Sequence, residues 1–497
     1  MKINHLFKNY FSLLVSNKTR RAHLKPLSFN WKTICARSTF CTIVTLITVQ
    51  ASFCFAQSIT VTQDKNITTT TIPERLDNVV EAFQKYRHFM GTVIVVKDNQ
   101  ILLKKAYGMA DLEWHIPNTN NGKFRLGSIT KQFTATAILQ LAEQHKLSVD
   151  DTACTYFDRC PSAWKKITIR QLLSMTSGIP SYTEEKSFLQ PIGTRIPEKP
   201  AEILLRTKDK PLDFKPGTQW KYDNSGYIFL GIIIEKVSGE KYEDYIKKYI
   251  FEPLGMSDSG YDYTATILSH RVSGYRRCGH VFCNSNYMDM SIPFAAGALY
   301  STVDDMYKWD RALYTDKILS NASRRQMFTV VMNNYGYGWD LSPMAQHQQI
   351  GHGGGIFGFS AYIARFPKDK ALVIVLSNVE ETDSKAIAAS LAGTIFGEQV
   401  SMPTEIKPIF LAPTLLKQYT GIYKFKSFVI NVTAKDGHLV IAPSGQPKEE
   451  AVPFSKNQFF IESLSAVQTF TLDKDTNTME LKNEQGGSVY IGKRINK

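Results

Sequence analysis

The stretch FRLGSITKQFTATAILQLAEQHKL (Phe124–Leu147) places Ser128 three residues before Lys131, directly after Gly127 and at the head of a long helical pattern. On a helix, residues three apart share a face, so a hydroxyl and an amine at this spacing can meet. A serine becomes a useful nucleophile when a base takes its proton, and a desolvated lysine with a lowered pKa can be that base. Gly127 lets a substrate carbonyl approach the backbone, and the start of a helix favours a developing negative charge. The same spacing is common in long chains, however, and a serine here also serves as a plain helix cap. The pair acquires meaning only from partners elsewhere.

Two other stretches supply candidates. In FKPGTQWKYDNSGYIFLGIIIE (Phe214–Glu235), Tyr222, Asp223 and Asn224 form a polar loop immediately before an apolar helix. A phenol there can relay protons, and an amide can hold both lysine and substrate. The plainer reading has Asn224 or Ser225 capping the helix and Tyr222 packing in the core. In GHGGGIFGFSAYIARF (Gly351–Phe366), His352 opens a glycine-rich run into a strand. Glycines let a strand edge pass close to a ligand and offer N–H groups to an oxyanion. A tight turn beside a solvated histidine is the alternative.

In this order, the three stretches resemble the serine β-lactamase and penicillin-binding-protein-like hydrolases, in particular the branch with class C β-lactamases, related esterases and D-aminopeptidases. The resemblance also rests on ITIRQLLSMTSGIPSY, AAGALYSTVDDMYKWDRAL and YGYGWDL, and it spans about residues 74–400. It implies a β-lactamase/transpeptidase-like α/β (α+β) fold: an antiparallel sheet flanked by helices, with a helical subdomain. By motif, it implies Ser128 as the acylated nucleophile, Lys131 as its proton partner and Tyr222 as a relay that helps activate water for deacylation. Asn224 would orient substrate. His352, Gly353 and Gly354 stand where lactamases carry a lysine, a threonine and a glycine, with Gly355 completing the substrate-binding strand. The N–H groups of Ser128 and Gly355 would form the oxyanion hole. The base in such enzymes is disputed, so Lys131 and Tyr222 are taken as a coupled pair. No metal or cofactor is implied, and the substrate would be a small molecule or peptide.

Departures from the family pattern narrow that expectation. A histidine is largely neutral near pH 7 at its free pKa of about 6.5, so His352 lacks the fixed charge of a lysine. Gly353 also removes a threonine hydroxyl. Both changes weaken carboxylate recognition and leave acyl transfer intact. They favour an ester, amide or D-amino-acid peptide substrate over efficient β-lactam hydrolysis. Asp223 stands where lactamases commonly have serine, and its charge is expected to disfavour anionic substrates or select cationic ones. The alternative function is a penicillin-binding or sensor-type protein that acylates without efficient turnover.

The rest of the chain supplies the frame. GTVIVVKDNQILLKKAYGMAD and SAYIARFPKDKALVIVLSN each read as two apolar runs around a polar turn, the signature of a hairpin. A sheet built from these two ends, with a mainly helical middle between them, is expected. Helices are predicted at Glu74–His88, Lys131–His145, Thr168–Ser174, Tyr227–Val237 and Val303–Tyr314. The hydrolase domain is assigned to residues 74–400, after a Thr-rich linker at 57–73. A Pro-containing connector at 401–413 leads to a small all-β domain at 414–497, a barrel or curled sheet.

The formal charge of +14 over 497 residues invites a nucleic-acid partner, but its distribution argues otherwise. Residues 1–56 hold eight Lys and Arg residues and no Asp or Glu, so the remainder carries only +6. That segment ends in an apolar stretch with Ala56 before Gln57, which fits an export signal cleaved there; a retained membrane anchor is the alternative. Phe53 before Cys54 speaks against lipidation. The expected location is periplasmic or secreted. Beyond the leader, the four cysteines form two close pairs, Cys154 with Cys160 and Cys278 with Cys283. Two short-loop disulfides are expected in an oxidising compartment. A four-cysteine zinc site is the alternative, although neither pair has the usual CxxC spacing.

Overall fold

Two hairpins from opposite ends of the 74–400 region build the central sheet. The computed structural model describes residues 70–497 apart from 186, 187, 189, 191, 280, 427, 445–447, 465, 474, 475, 486, 487, 496 and 497. The leader, its cleavage point and most of the 57–73 linker lie outside the described residues. Strands Gly91–Lys97 and Gln100–Tyr107 meet at Asp98 and Asn99, with φ of 50° and 64°. Two successive left-handed residues give the tight turn whose twist matches that of paired strands, and Asp and Asn tolerate that conformation best after Gly.

The second hairpin joins Phe359–Phe366 to Ala371–Ser377, and the sheet closes by antiparallel pairing of Gly91–Lys97 with Ala371–Ser377, from Gly91↔Ser377 to Lys97↔Ala371. Strand order is Ile350–Ile356, Phe359–Phe366, Ala371–Ser377, Gly91–Lys97, Gln100–Tyr107. Both faces are covered, which explains the near-continuous apolar runs. Ile94, Ile363 and Ile374 enter a large core with Phe133 and Trp309; Val93, Ala364 and Val375 enter a second core with helices Ile72–Arg87 and Ser384–Phe396. The first of these helices opens on a capping box between Thr71 and Glu74.

The helical middle contributes Thr130–Glu143, Ile169–Leu173, Asn224–Ser238 and Val303–Ala312, close to expectation. One start differs: the helix predicted from Tyr227 begins at Asn224, because Asp223 caps it by accepting from the Gly226 N–H. A buried pair, Arg365 to Asp310 at 2.6 Å, ties the sheet to helix Val303–Ala312. Both expected disulfides, Cys154–Cys160 and Cys278–Cys283, are present.

The C-terminal region is a closed antiparallel barrel of eight strands running from Gly421–Lys424 to Ser488–Ile495. Closure removes the exposed edges of a small sheet. Alternate residues such as Ile430, Val432, Leu439 and Ile441 fill its interior, together with Leu416 and Tyr419 from the preceding helix. It meets the preceding α/β region through an Arg277–Glu462 ion pair and through Arg87, whose guanidinium lies 5.1 Å from the Phe460 ring centre. Among the described residues, no helix is long and apolar enough to cross a membrane.

Candidate active site

Ser128 lies in a single helical turn, Gly127–Ile129, that runs straight into helix Thr130–Glu143. Its hydroxyl does not cap that helix, whose first position shows no side-chain cap. Instead it faces Lys131, with Nζ 3.0 Å from Oγ. The approach depends on two glycines. Gly127 has φ of +51°, and a Cβ there would fall 2.9 Å from the Gly355 nitrogen. A Cβ on Gly354 would fall 1.9 Å from the Leu126 carbonyl oxygen. The edge strand Ile350–Ile356 can therefore lie against the serine turn only without side chains at these positions.

Lys131 is fully buried and has three acceptors: Ser128 Oγ, Asn224 Oδ1 at 2.8 Å and the Ala296 carbonyl at 2.9 Å. None is a carboxylate. Burial lowers its pKa to about 7, against a smaller opposing effect from Asp223. The partner set has a chemical consequence. Two of the three can only accept, so a neutral amine donates its two N–H bonds to Asn224 and Ala296 and turns its lone pair toward Ser128.

Tyr222 closes the other side. Its ring lies 4.9 Å from Lys131 Nζ, and the nearby Ser128 side chain works against the rise in its pKa. Burial pushes the phenol well above its ordinary pKa, so it is protonated at neutral pH. Asn224 is positioned by a segment distant in sequence: its N–H donates to Ser181 Oγ, and its Nδ2 donates to Thr183 Oγ1 at 3.2 Å.

His352 is buried in the edge strand, with its ring centre 6.2 Å from that of Tyr222. Nε2 pairs with the Tyr335 hydroxyl at 2.9 Å and Nδ1 with the Gly353 carbonyl at 2.6 Å. Burial, reinforced by Lys131, lowers its pKa to about 4, so His352 carries no charge at neutral pH.

A cleft of about 330 Å³ opens over this cluster, bordered by Gly127, Ser128, Asn224 and Gly355 and walled by Tyr182 and Phe188. Ser128, Lys131, Tyr222, Asn224 and Gly355 thus converge as expected. His352, Gly353 and Gly354 do not border the cleft; Gly354 packs on the serine turn and His352 stands behind Tyr222. The expectation for Asp223 is corrected. Its carboxylate is buried and turned away, accepting from the Gly226 N–H at 3.0 Å and Ser177 Oγ at 3.3 Å, and burial raises its pKa to about 7. It is a helix cap, as Asn224 and Ser225 are not; Ser225 Oγ donates to the Pro180 carbonyl instead.

Thr183, Ala296 and Tyr335 escaped the sequence reading. Each acts through a contact distant in sequence, and Ala296 acts through its backbone, which no residue type reports.

Comparisons with known proteins bear on the family and the fold. The profile of the family described as Beta-lactamase matches residues 76–394. Penicillin-binding protein 4* of Bacillus subtilis (strain 168) is 29% identical over 431 residues, 81% of this chain and 94% of that protein. The octameric penicillin-binding protein homologue from Pyrococcus abyssi superposes with a TM-score of 0.61 at 25% identity, over 84% of this chain and 99% of that one. A D-amino acid amidase from Ochrobactrum anthropi SV3 shares the fold at a TM-score of 0.57 and 22% identity, over 65% of this chain and 99% of that one. The serine turn, the lysine beside it and a family match across more than half of the chain lead to one conclusion: this protein belongs to the β-lactamase family.

Proposed function

We propose that the protein is an exported serine hydrolase that forms an acyl-enzyme on Ser128 and acts on esters, amides or D-amino-acid peptides. The observation that carries this reading is the hydrogen-bond set of Lys131: a buried amine with a pKa of about 7, two obligate acceptors and one hydroxyl. In acylation, Ser128 Oγ bonds to the substrate carbonyl carbon while its proton passes to Lys131. The oxyanion takes the N–H groups of Ser128 and Gly355. The carbonyl re-forms, and the leaving group departs with a proton returned through the Lys131–Tyr222 pair. Water then attacks the ester by the same route in reverse, and Ser128 is restored.

Neutral His352 brings no fixed positive charge beside the scissile bond, which favours acyl transfer to water over dedicated β-lactam recognition. The two disulfides and the penicillin-binding relative support action outside the cytoplasm.

The decisive experiment incubates the protein with an activated ester and with a labelled penicillin, following product release and intact mass. Sustained ester turnover that vanishes in Ser128→Ala supports the hydrolase. A lasting adduct without turnover supports the acylating sensor. A folded protein that gives neither overturns Ser128 as the acylation site.

A further inference from the structure

Beyond the Gly355 end of the cleft lies a second cavity of about 360 Å³. The two share Met288 and Phe357 as a common border, and one backbone, Gly355 to Phe359, walks from the first into the second. The second cavity differs in charge. Lys123, Arg125 and Arg271 line it, with one carboxylate, Asp262. Asp262 is buried and shared: Arg125 Nε donates to one oxygen at 2.6 Å and Arg271 Nη2 to the other at 2.6 Å.

Two guanidinium groups on one carboxylate leave one positive charge uncompensated. Lys123 is held by Asp258 at 3.0 Å, whose side chain is 47% exposed and therefore a weakly held counter-charge. Two further acids keep their charge on the Asn284–Ser285 side of the cavity, where each accepts from neutral donors: Glu380 from Ser285 Oγ and the Gly358 N–H, and Glu113 from Asn284. Arg271 Nε and Thr264 Oγ1 are buried with no hydrogen-bond partner among the described residues. Buried polar atoms in this state carry a cost.

We infer that this cavity is a second subsite of the acylation cleft, taking a carboxylate borne by the substrate at a distance from the scissile bond. Its position rests on the acyl-enzyme reading; its chemistry rests only on the cavity. The positive charge that neutral His352 does not supply beside the reacting carbonyl is supplied instead past the end of the strand. The substrate class is an elongated acyl donor with an acidic tail, such as a peptide carrying a free carboxyl group. Arg271 and Lys123 are specificity-determining residues in this reading, and they take no part in bond breaking.

The test uses uncleaved amides with tails of graded length ending in carboxylate, carboxamide or ammonium, bound to full-length Ser128→Ala and measured by calorimetry. Turnover of a tail-less activated ester by the unaltered chain is followed separately, so failure of the hydrolase reading is seen in one arm and failure of the subsite in the other. The expected result is that one carboxylate tail binds about tenfold tighter than its carboxamide, as for a charge-assisted contact. Arg271→Gln and Lys123→Gln should each reduce that preference without changing turnover of the tail-less ester. Lys123→Gln leaves the Asp262 pairs in place and so guards against a folding artefact. Equal binding of all tails, or preference for ammonium, overturns the subsite.

Discussion

Two buried cations can be set side by side. Arg365 is buried with Asp310, its Nε 2.6 Å from Oδ1, and its guanidinium faces the rings of Tyr314, Phe328 and Trp339. Lys131 is equally buried and also lies near two rings, Tyr222 and Tyr227, but its hydrogen-bond partners are a hydroxyl and two amide-type oxygens, with no carboxylate among them. Arginine cannot be deprotonated in a protein, so its burial demands a carboxylate, and the result is a brace between sheet and helix. A lysine without a carboxylate contact answers burial by giving up its proton more readily, and the result is a candidate base. What surrounds the charge, more than the charge itself, separates architecture from chemistry.

The largest effect expected from breaking this contrast is at Lys131. Lys131→Met should lower kcat on the order of 10⁴-fold while changing thermal stability little, since relief from burying an amine offsets the acceptors left without a donor at Asn224 and Ala296. Steady-state kinetics and a melting curve on the same sample check both halves. Arg365→Met should do the reverse. It strips Asp310 of one partner while Arg311 keeps the other oxygen, so a loss of about 3 kcal/mol is expected by denaturant unfolding, with activity retained in the folded fraction.

A pH profile sharpens the comparison. Lys131 acts as a base only when neutral, and its pKa is depressed to about 7. Hence kcat/KM should fall below pH 7, about tenfold per unit, and level off above it. His352, neutral down to about pH 4, should add no limb in this range. Asn224→Ala removes an acceptor that favours the ammonium form, so the limb should move to lower pH while kcat drops about ten- to a hundredfold.

The smallest effect belongs to Asp223. Asp223→Asn keeps a good helix cap and should change stability by only a few tenths of a kcal/mol, against about 1 kcal/mol for Asp223→Ala. Loss of its charge, which raises the Lys131 pKa, should move the acid limb slightly downward. Preference between anionic and cationic esters should stay the same. A changed preference would return Asp223 to the cleft.

The hairpins, the serine turn and the polar loop before helix Asn224–Ser238 could be read directly from the chain. Each is written locally, in apolar alternation, in Asp98–Asn99 as a turn, and in glycines where a backbone must come close. So were Ser128, Lys131, Tyr222 and Asn224, because motif residues carry their chemistry in their own side chains. The protonation of Lys131 was decided elsewhere. It needed a core that excludes water, while the Ala296 carbonyl and the Asn224 amide, 165 and 93 residues away in sequence, hold the amine toward Ser128. Likewise, only the folded chain turns Asp223 inward to cap a helix and gathers Arg125 and Arg271 on one carboxylate. Residue types can be read in order along a chain. Desolvation and direction are set by every segment packed around a site, and they exist only once the chain has folded.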